Sequence, residues 1–367
     1  MHLTNKCNLK CKYCFIEHGT ESMSRDVAFA TVKLGMENRK MSGLLFYGGE
    51  PLLERKLIYD IVDYAKDIGK KTGHTFYYKM TTNGILLDEE FLKFSKKNNL
   101  AIGFSHDGCA QDDCRVSADG VGTFALLKDT IPLLLKYQPY AIGMCVIDPS
   151  TVHKASSIVK FLFDKGFRYI TVGVNYCKTA PWTKNHLSIL EGEYKKMAEM
   201  YIKWTKAEDK FYLSPFDMKI LSHLKGDKYN TDRSRMTINQ PSVAPNGKIY
   251  FASRYLDDPA FEIGDVFSGI NVEKQKSISQ KGDIPSEICS KCALRLRCNY
   301  AYGNPVYHKS EYIADVSPIQ CTHEQLITPI ADYVAEKLYK EGNALFIHKH
   351  YNEIYSFVSL IEDISSR

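Results

Sequence analysis

Along the first half of the chain, short runs of strand-type residues alternate with stretches whose apolar residues recur every three or four positions. The strand-like runs end at Thr4 and then cover 44–47, 76–81, 101–105, 142–147 and 169–174. One helical stretch opens at a Ser24 cap, and another carries Ile58, Ile61, Val62, Ala65 and Ile68 on a single face. Others carry Leu126, Leu127, Ile131 and Leu134, then Ile158, Phe161 and Leu162. Six such βα units predict a parallel sheet with outer helices. Periodicity alone leaves a doubly wound sheet and a partial barrel both open. A long helical stretch over about 187–208, then Pro215, closes this part. Beyond it the texture changes. Pro245, Asn246 and Gly247 form a turn signal between strand-like flanks, so 242–250 predicts a hairpin. The tail returns to helical spacing through Ile330, Val334 and Leu338. The expected division is 1–212, a small α+β unit over 236–325, and a helical tail over 326–367.

Composition narrows the setting. No segment has the uninterrupted apolar run of a membrane span, and candidate site residues occupy the N-terminus where a signal peptide would sit. Eleven cysteines could suggest a disulfide framework, but seven of them fall into two metal-type groups, which points to a reducing cytoplasm. The net charge of +5 is spread along the chain without runs. That reads as a solvated surface with at most a weak preference for acidic peptides, and no nucleic-acid module is visible.

Cys7, Cys11 and Cys14 form C-x3-C-x2-C. Three thiolates in one loop leave a metal position open. On a [4Fe–4S] cluster that position is an iron able to chelate a substrate or cofactor. Zinc, the rival, calls for a fourth ligand at short spacing, and only His18 is near. Gly48, Gly49, Glu50 and Pro51 follow the second strand, where glycines let backbone approach a ligand closely. Asn83 follows the third strand, and Ser105 and Asp107 end the fourth. Arg115 precedes Gly120, Gly122 and Phe124.

Together these motifs resemble the signature of the radical S-adenosylmethionine superfamily, over roughly the first half of the chain. The resemblance implies an open six-stranded partial barrel with functional residues at the carboxyl ends of strands. It implies a cluster on Cys7, Cys11 and Cys14 whose open iron holds the amino and carboxylate groups of S-adenosylmethionine. Tyr13 would pack near the adenine, and Gly48, Gly49 and Glu50 would meet the methionine ammonium. Asn83, Ser105 and Asp107 would lie at or around the ribose, and Arg115 would pair with the cofactor carboxylate.

The second group is Cys289, Cys292, Cys298 and Cys321, a C-x2-C-x5-C with a distal fourth thiol. Four soft ligands suit zinc or a fully ligated iron–sulfur cluster, and on bare sequence zinc is favoured. Behind the hairpin, the segment resembles a SPASM domain, the extension that carries auxiliary [4Fe–4S] clusters in peptide-modifying members. Two such clusters are usual. Here Ala252 and Tyr302 stand where ligands of the inner one would be, so one auxiliary cluster is expected, two clusters in all. Ser253 replaces the aspartate base of sulfatase-maturating relatives.

The implied function is that of a peptide maturase. A 5′-deoxyadenosyl radical removes hydrogen from a residue of a ribosomally made precursor, which then closes a thioether, C–C or C–O cross-link. The implied partners are that precursor and an electron donor such as flavodoxin or ferredoxin. Leader recognition would fall to the C-terminal part or to a separate leader-binding protein. Cys109, just past the fourth-strand turn, would stand at the site mouth as a hydrogen-atom donor if the enzyme epimerises. A sulfatase-maturase-like oxidase is a further alternative. A zinc-stabilised peptide-binding protein with a degenerate barrel is the alternative of another class.

Overall fold

The computed structural model describes residues 1–37, 39–177, 179–226, 239–283, 286–298, 317–352 and 354–355. Position Tyr302 and the glycine-containing stretch 299–303 lie outside them. The sheet runs β1 (His2–Thr4), β2 (Met41–Gly48), β3 (Thr75–Thr82), β4 (Leu100–Ser105), β5 (Ile142–Ile147), β6 (Tyr169–Val174) and β7 (Tyr212–Leu213). These seven strands lie in chain order and every neighbouring pair is parallel. A two-residue strand thus extends the six expected from periodicity. Two residues are too few for alternation to show.

Crossover helices cover one face of the sheet. They are α1 (Arg25–Met36), α2 (Arg55–Thr72), α3 (Glu89–Lys97), the short α4 (Gln111–Cys114), α5 (Thr130–Tyr137), α6 (Ala155–Asp164) and α7 (Lys184–Lys206). Ser24 caps α1 by accepting the Val27 N–H, and Asp88 caps α3 by accepting that of Phe91. Leu44, Phe46, Tyr78, Met80, Ile102 and Phe104 pack with Ile58, Ile61 and Phe91 in one apolar core. A strand side chain two positions on returns to the same face. Tyr47, Thr81 and Ser105 therefore point the other way, into the hollow of the sheet.

Helix α8 (Ser214–Lys225) follows β7. The hairpin forms as expected: β8 (Ser242–Val243) pairs antiparallel with β9 (Lys248–Tyr250), and β10 (Glu262–Asp265) and β11 (Gly269–Ile270) complete a four-stranded sheet. At the turn Gly247 has φ of 90°, a conformation glycine adopts at little cost. After α9 (Val272–Asp283) and the short α10 (Glu287–Ser290), α11 (Pro318–Lys340) packs on α7 and α8, and α12 (Ala344–Tyr351) ends the described chain. No helix among the described residues is long and apolar enough to cross a membrane.

Candidate active site

The cysteine loop is shaped by segments distant in sequence. The Gly49 N–H donates to Thr4 O at 2.8 Å, and the Glu50 N–H to Lys6 O at 2.8 Å. A Cβ on Gly49 would lie 2.0 Å from Lys6 O, so only glycine lets the two backbones meet. On the other side, the Lys10 N–H donates to Val116 O at 2.7 Å and the Lys12 N–H to Cys114 O at 3.0 Å. Asn83 joins from β3, its Nδ2 donating to Asn8 Oδ1 at 2.8 Å.

Held this way, Cys7, Cys11 and Cys14 line one cavity of about 490 Å³ together with Tyr13, Gly48, Gly49, Asn83, Ser105 and Arg115. That volume is ample for a cofactor. All three thiols are free. Burial pushes the Cys7 thiol up to about 11, with Glu50, Cys11 and Cys14 adding to the effect. Cys11 and Cys14 are raised chiefly by burial too, while Arg115 acts the other way. Three crowded thiols that resist ionisation alone are what a cationic iron centre stabilises. His18 stands closer than its spacing suggested, with Nε2 3.6 Å from Cys14 Sγ. Among the described residues, however, no three His, Cys, Asp or Glu side chains gather tightly enough for a single metal ion. The donor set fits a cluster, whose ligands sit on several irons.

Two expected cofactor contacts take another form, because their carboxylates lie behind the wall. Glu50 is fully buried and off the cavity surface. It accepts from the Asn83 N–H at 2.8 Å, Thr82 Oγ1 at 2.7 Å and the Leu52 N–H at 3.0 Å. Burial raises its pKa and these donors oppose the rise. Its role in this geometry is to fix Asn83 and the Gly-Gly turn. Asp107 is likewise buried and off the cavity. It receives Arg115 Nε at 3.0 Å, the Val146 N–H at 2.9 Å and the Tyr13 hydroxyl. The Arg115 guanidinium also lies 5.3 Å from the Tyr13 ring centroid. Burial opposes its charge, but Asp107, then Tyr13 and Cys11, outweigh that and hold it protonated. Asp107 thus positions Arg115 and Tyr13, which do face the cavity.

Cys109 is not at the mouth. Gly108 leans on α6, where a Cβ would come within 3.0 Å of the Ile158 backbone. The turn therefore carries Cys109 outward to solvent, beside Lys154 and Asp113. Beyond Cys7, Cys11 and Cys14, the described thiols that line the cavity are Cys145 and Cys177. Cys177 is raised first by burial and then by Cys14, which places it near the cysteine loop. It stands three positions past the end of β6, the same kind of place as the other site residues, and that signal was available in the sequence.

The far wall comes from the C-terminal part: Arg254, just after the hairpin, and His323 and Ile327 of α11. Lys219 of α8 lines it as well. It pairs with buried Glu324 and donates to Arg297 O at 3.0 Å, while Arg297 grips Asp332 with both terminal nitrogens. This network anchors the chain beside Cys298. Cys289, Cys292, Cys298 and Cys321 are all half-buried and none forms a disulfide. Cys321 is raised by burial and then by Cys292 and Cys289, so those three stand close together.

Residues 1–162 match the family model described as the radical SAM superfamily. The chain carries a radical SAM domain of α/β fold. It is 28% identical over 181 residues to a cysteine-type anaerobic sulfatase-maturating enzyme of Clostridium novyi, covering 46% of this chain and about half (48%) of that enzyme. Its fold superposes on native anSMEcpe with bound AdoMet and Cp18Cys peptide with a TM-score of 0.76 at 19% identity, covering 92% and 97% of the two chains. It also superposes on Streptococcus suis SuiB bound to precursor peptide SuiA with a TM-score of 0.61 at 14% identity, covering 86% and 74%.

Proposed function

We propose that this chain is a radical SAM oxidoreductase that modifies a residue of a ribosomally made peptide by forming a cross-link. The observation that carries the reading is the single cavity that brings three free thiols, a glycine-backed turn and Arg115 together under a wall from the C-terminal part. Cys7, Cys11 and Cys14 would hold a [4Fe–4S] cluster, and Gly48, Gly49, Asn83, Ser105, Tyr13 and Arg115 would hold S-adenosylmethionine. Bound there, the pair supplies one-electron chemistry able to take hydrogen from an unactivated C–H bond.

The chain's own part is positioning. Asp107 keeps Arg115 charged and aimed into the cavity, and Glu50 keeps the turn closed on the cysteine loop. His323 and Ile327 of α11 wall off one side of the cavity, where they would help keep water from a bound substrate. Cys289, Cys292, Cys298 and Cys321 would hold one fully ligated auxiliary cluster, leaving it electron transfer or support. The C-terminal unit over 236–325 and the tail beyond it would then frame the substrate. The likeness to sulfatase-maturating enzymes supports a peptide substrate. Ser253, in place of an aspartate base, argues against their oxidation.

A second reading, epimerisation, has one observation in its favour: Cys177 presents a protonated thiol to the cavity. Anaerobic incubation with a co-encoded peptide, S-adenosylmethionine and dithionite, read by mass spectrometry, separates the readings. Loss of two hydrogens without hydrazide reactivity supports cross-linking, and hydrazide reactivity signals an aldehyde. Unchanged mass with solvent deuterium uptake, abolished in Cys177→Ala, means epimerisation. Failure to form 5′-deoxyadenosine at all would end the enzyme reading.

A further inference from the structure

The inner face of the sheet continues below the cavity. Tyr47 and Thr81 line the cavity itself. Two residues earlier on each strand, Leu45 and Lys79 point to the same side, and Ala101 completes their row in register across β2, β3 and β4. Beneath them Gly43 pairs with Tyr77, and Met41 with Thr75. In a sheet of this kind both faces are ordinarily covered, yet Leu45 is 51% exposed, Met41 58% and Tyr77 58%. Gly43 leaves the groove open, since a Cβ there would meet nothing nearer than Leu45 Cδ1 at 3.8 Å.

Lys79 sits half-buried in the middle of this apolar surface. Burial alone lowers its pKa, and no carboxylate among the described residues offsets it. The cavity above shows the same bias. Among its described lining residues there is no Asp or Glu, because Glu50, Asp107 and Glu324 all stand behind the wall. A cation among exposed apolar side chains, with no counter-ion, asks for a carboxylate flanked by apolar groups.

We propose that the inner face around Lys79 docks an acidic segment of the substrate peptide, its Glu or Asp carboxylate on the Lys79 ammonium and an adjacent aliphatic side chain against Leu45, Tyr77 and Met41. The proposal rests on the reading that the substrate is a peptide. An extended peptide rises by about as much per residue as the strand beside it. The acidic residue should therefore lie roughly two positions from the one held at the level of Thr81.

The test is binding of the dye-labelled pentapeptide Ala-Leu-Glu-Leu-Ala, and of its Gln counterpart, to the full reconstituted chain by fluorescence anisotropy, without reductant. The Glu peptide should bind about tenfold tighter than the Gln peptide, the scale of one charge-assisted hydrogen bond. Lys79→Met should erase that preference and Lys79→Arg should keep most of it. The Glu peptide should also protect Lys79, above other lysines, from brief acetylation read by mass spectrometry. Equal binding of both peptides, no saturable binding up to millimolar, or a preference that survives Lys79→Met overturns the proposal. So does a dimer that Lys79→Met dissociates, which would make a second copy the occupant. If 5′-deoxyadenosine never forms while the Glu preference holds, the enzyme reading fails and the docking site stands; the reverse pattern removes only the docking site.

Discussion

Neutralising Asp107 should destabilise the first domain, because it leaves the Arg115 charge buried without its partner. The pair is nearly dry, with Arg115 8% and Asp107 1% exposed and Nε–Oδ2 at 3.0 Å. Breaking a buried pair by removing one charge costs about 3–5 kcal/mol, because the partner is left uncompensated. Asp107→Asn keeps the side-chain volume and can still accept the Val146 N–H, so the lower end, about 3 kcal/mol, is expected. Arg115→Met leaves the carboxylate with that N–H and the Tyr13 hydroxyl, and should cost about the same. The double variant Asp107→Asn/Arg115→Met buries neither charge, so it should recover roughly 2–3 kcal/mol of the summed loss. Guanidinium unfolding of the four apo proteins, followed by intrinsic fluorescence under anaerobic conditions, measures the cycle. Additivity within about 0.5 kcal/mol would refute the reasoning, since independent sites add to that precision. A second readout is iron retention. Tyr13 lies between Cys11 and Cys14 and donates to Asp107, so Asp107→Asn should also shed iron faster under chelator.

Mutating Cys7, Cys11 and Cys14 together to Ala should abolish 5′-deoxyadenosine formation and lower reconstituted iron from roughly eight per chain to about four, the share of one cubane. Iron near twelve in the unaltered chain would instead demand a third cubane. Gly49→Ala places its Cβ 2.0 Å from Lys6 O; it should impair cluster incorporation, read by absorbance and iron assay, and not merely cofactor affinity. His106 stacks on Phe161 at 5.4 Å and accepts the Gly108 N–H at 2.9 Å, and burial, with Arg115 and Lys165, lowers its pKa to about 3. The unfolded chain therefore takes up this proton first. Its contribution is complete above about pH 6.5 and is lost as pH falls from there toward 3. In His106→Gln the stability-versus-pH slope over that window should flatten by up to about one proton.

Five of the seven strands were legible because each alternates or runs apolar over four or more residues between clear helical periods, while β1, three residues long, was read only as the run ending at Thr4. The seventh, Tyr212–Leu213, is too short to alternate. The convergence of Cys7, Cys11 and Cys14 was legible from spacing alone, since side chains within one loop have few ways to be apart. What spacing could not supply was direction. Glu50 and Asp107 sit at the expected strand ends, but whether such a side chain faces the cavity or the wall depends on partners far along the chain, Thr82 and Asn83 for one, Arg115 and Val146 for the other. Cys109 was misplaced for the same reason, because contact with Ile158 turns it outward. Cys177 sits past a strand end without a recognisable motif, so chemistry drew no attention to it.

The clamps on the cysteine loop also set an order of events during synthesis. The thiols emerge from the ribosome before the segments that hold them: their backbone is fixed by Gly49 and Glu50, then by Asn83, and last by Cys114 and Val116. A nascent chain shorter than that has cysteines but no nest for them. Iron delivered early would meet a flexible trithiol open to oxidation or to the wrong metal, so insertion has to wait until the first four βα units have closed around the loop.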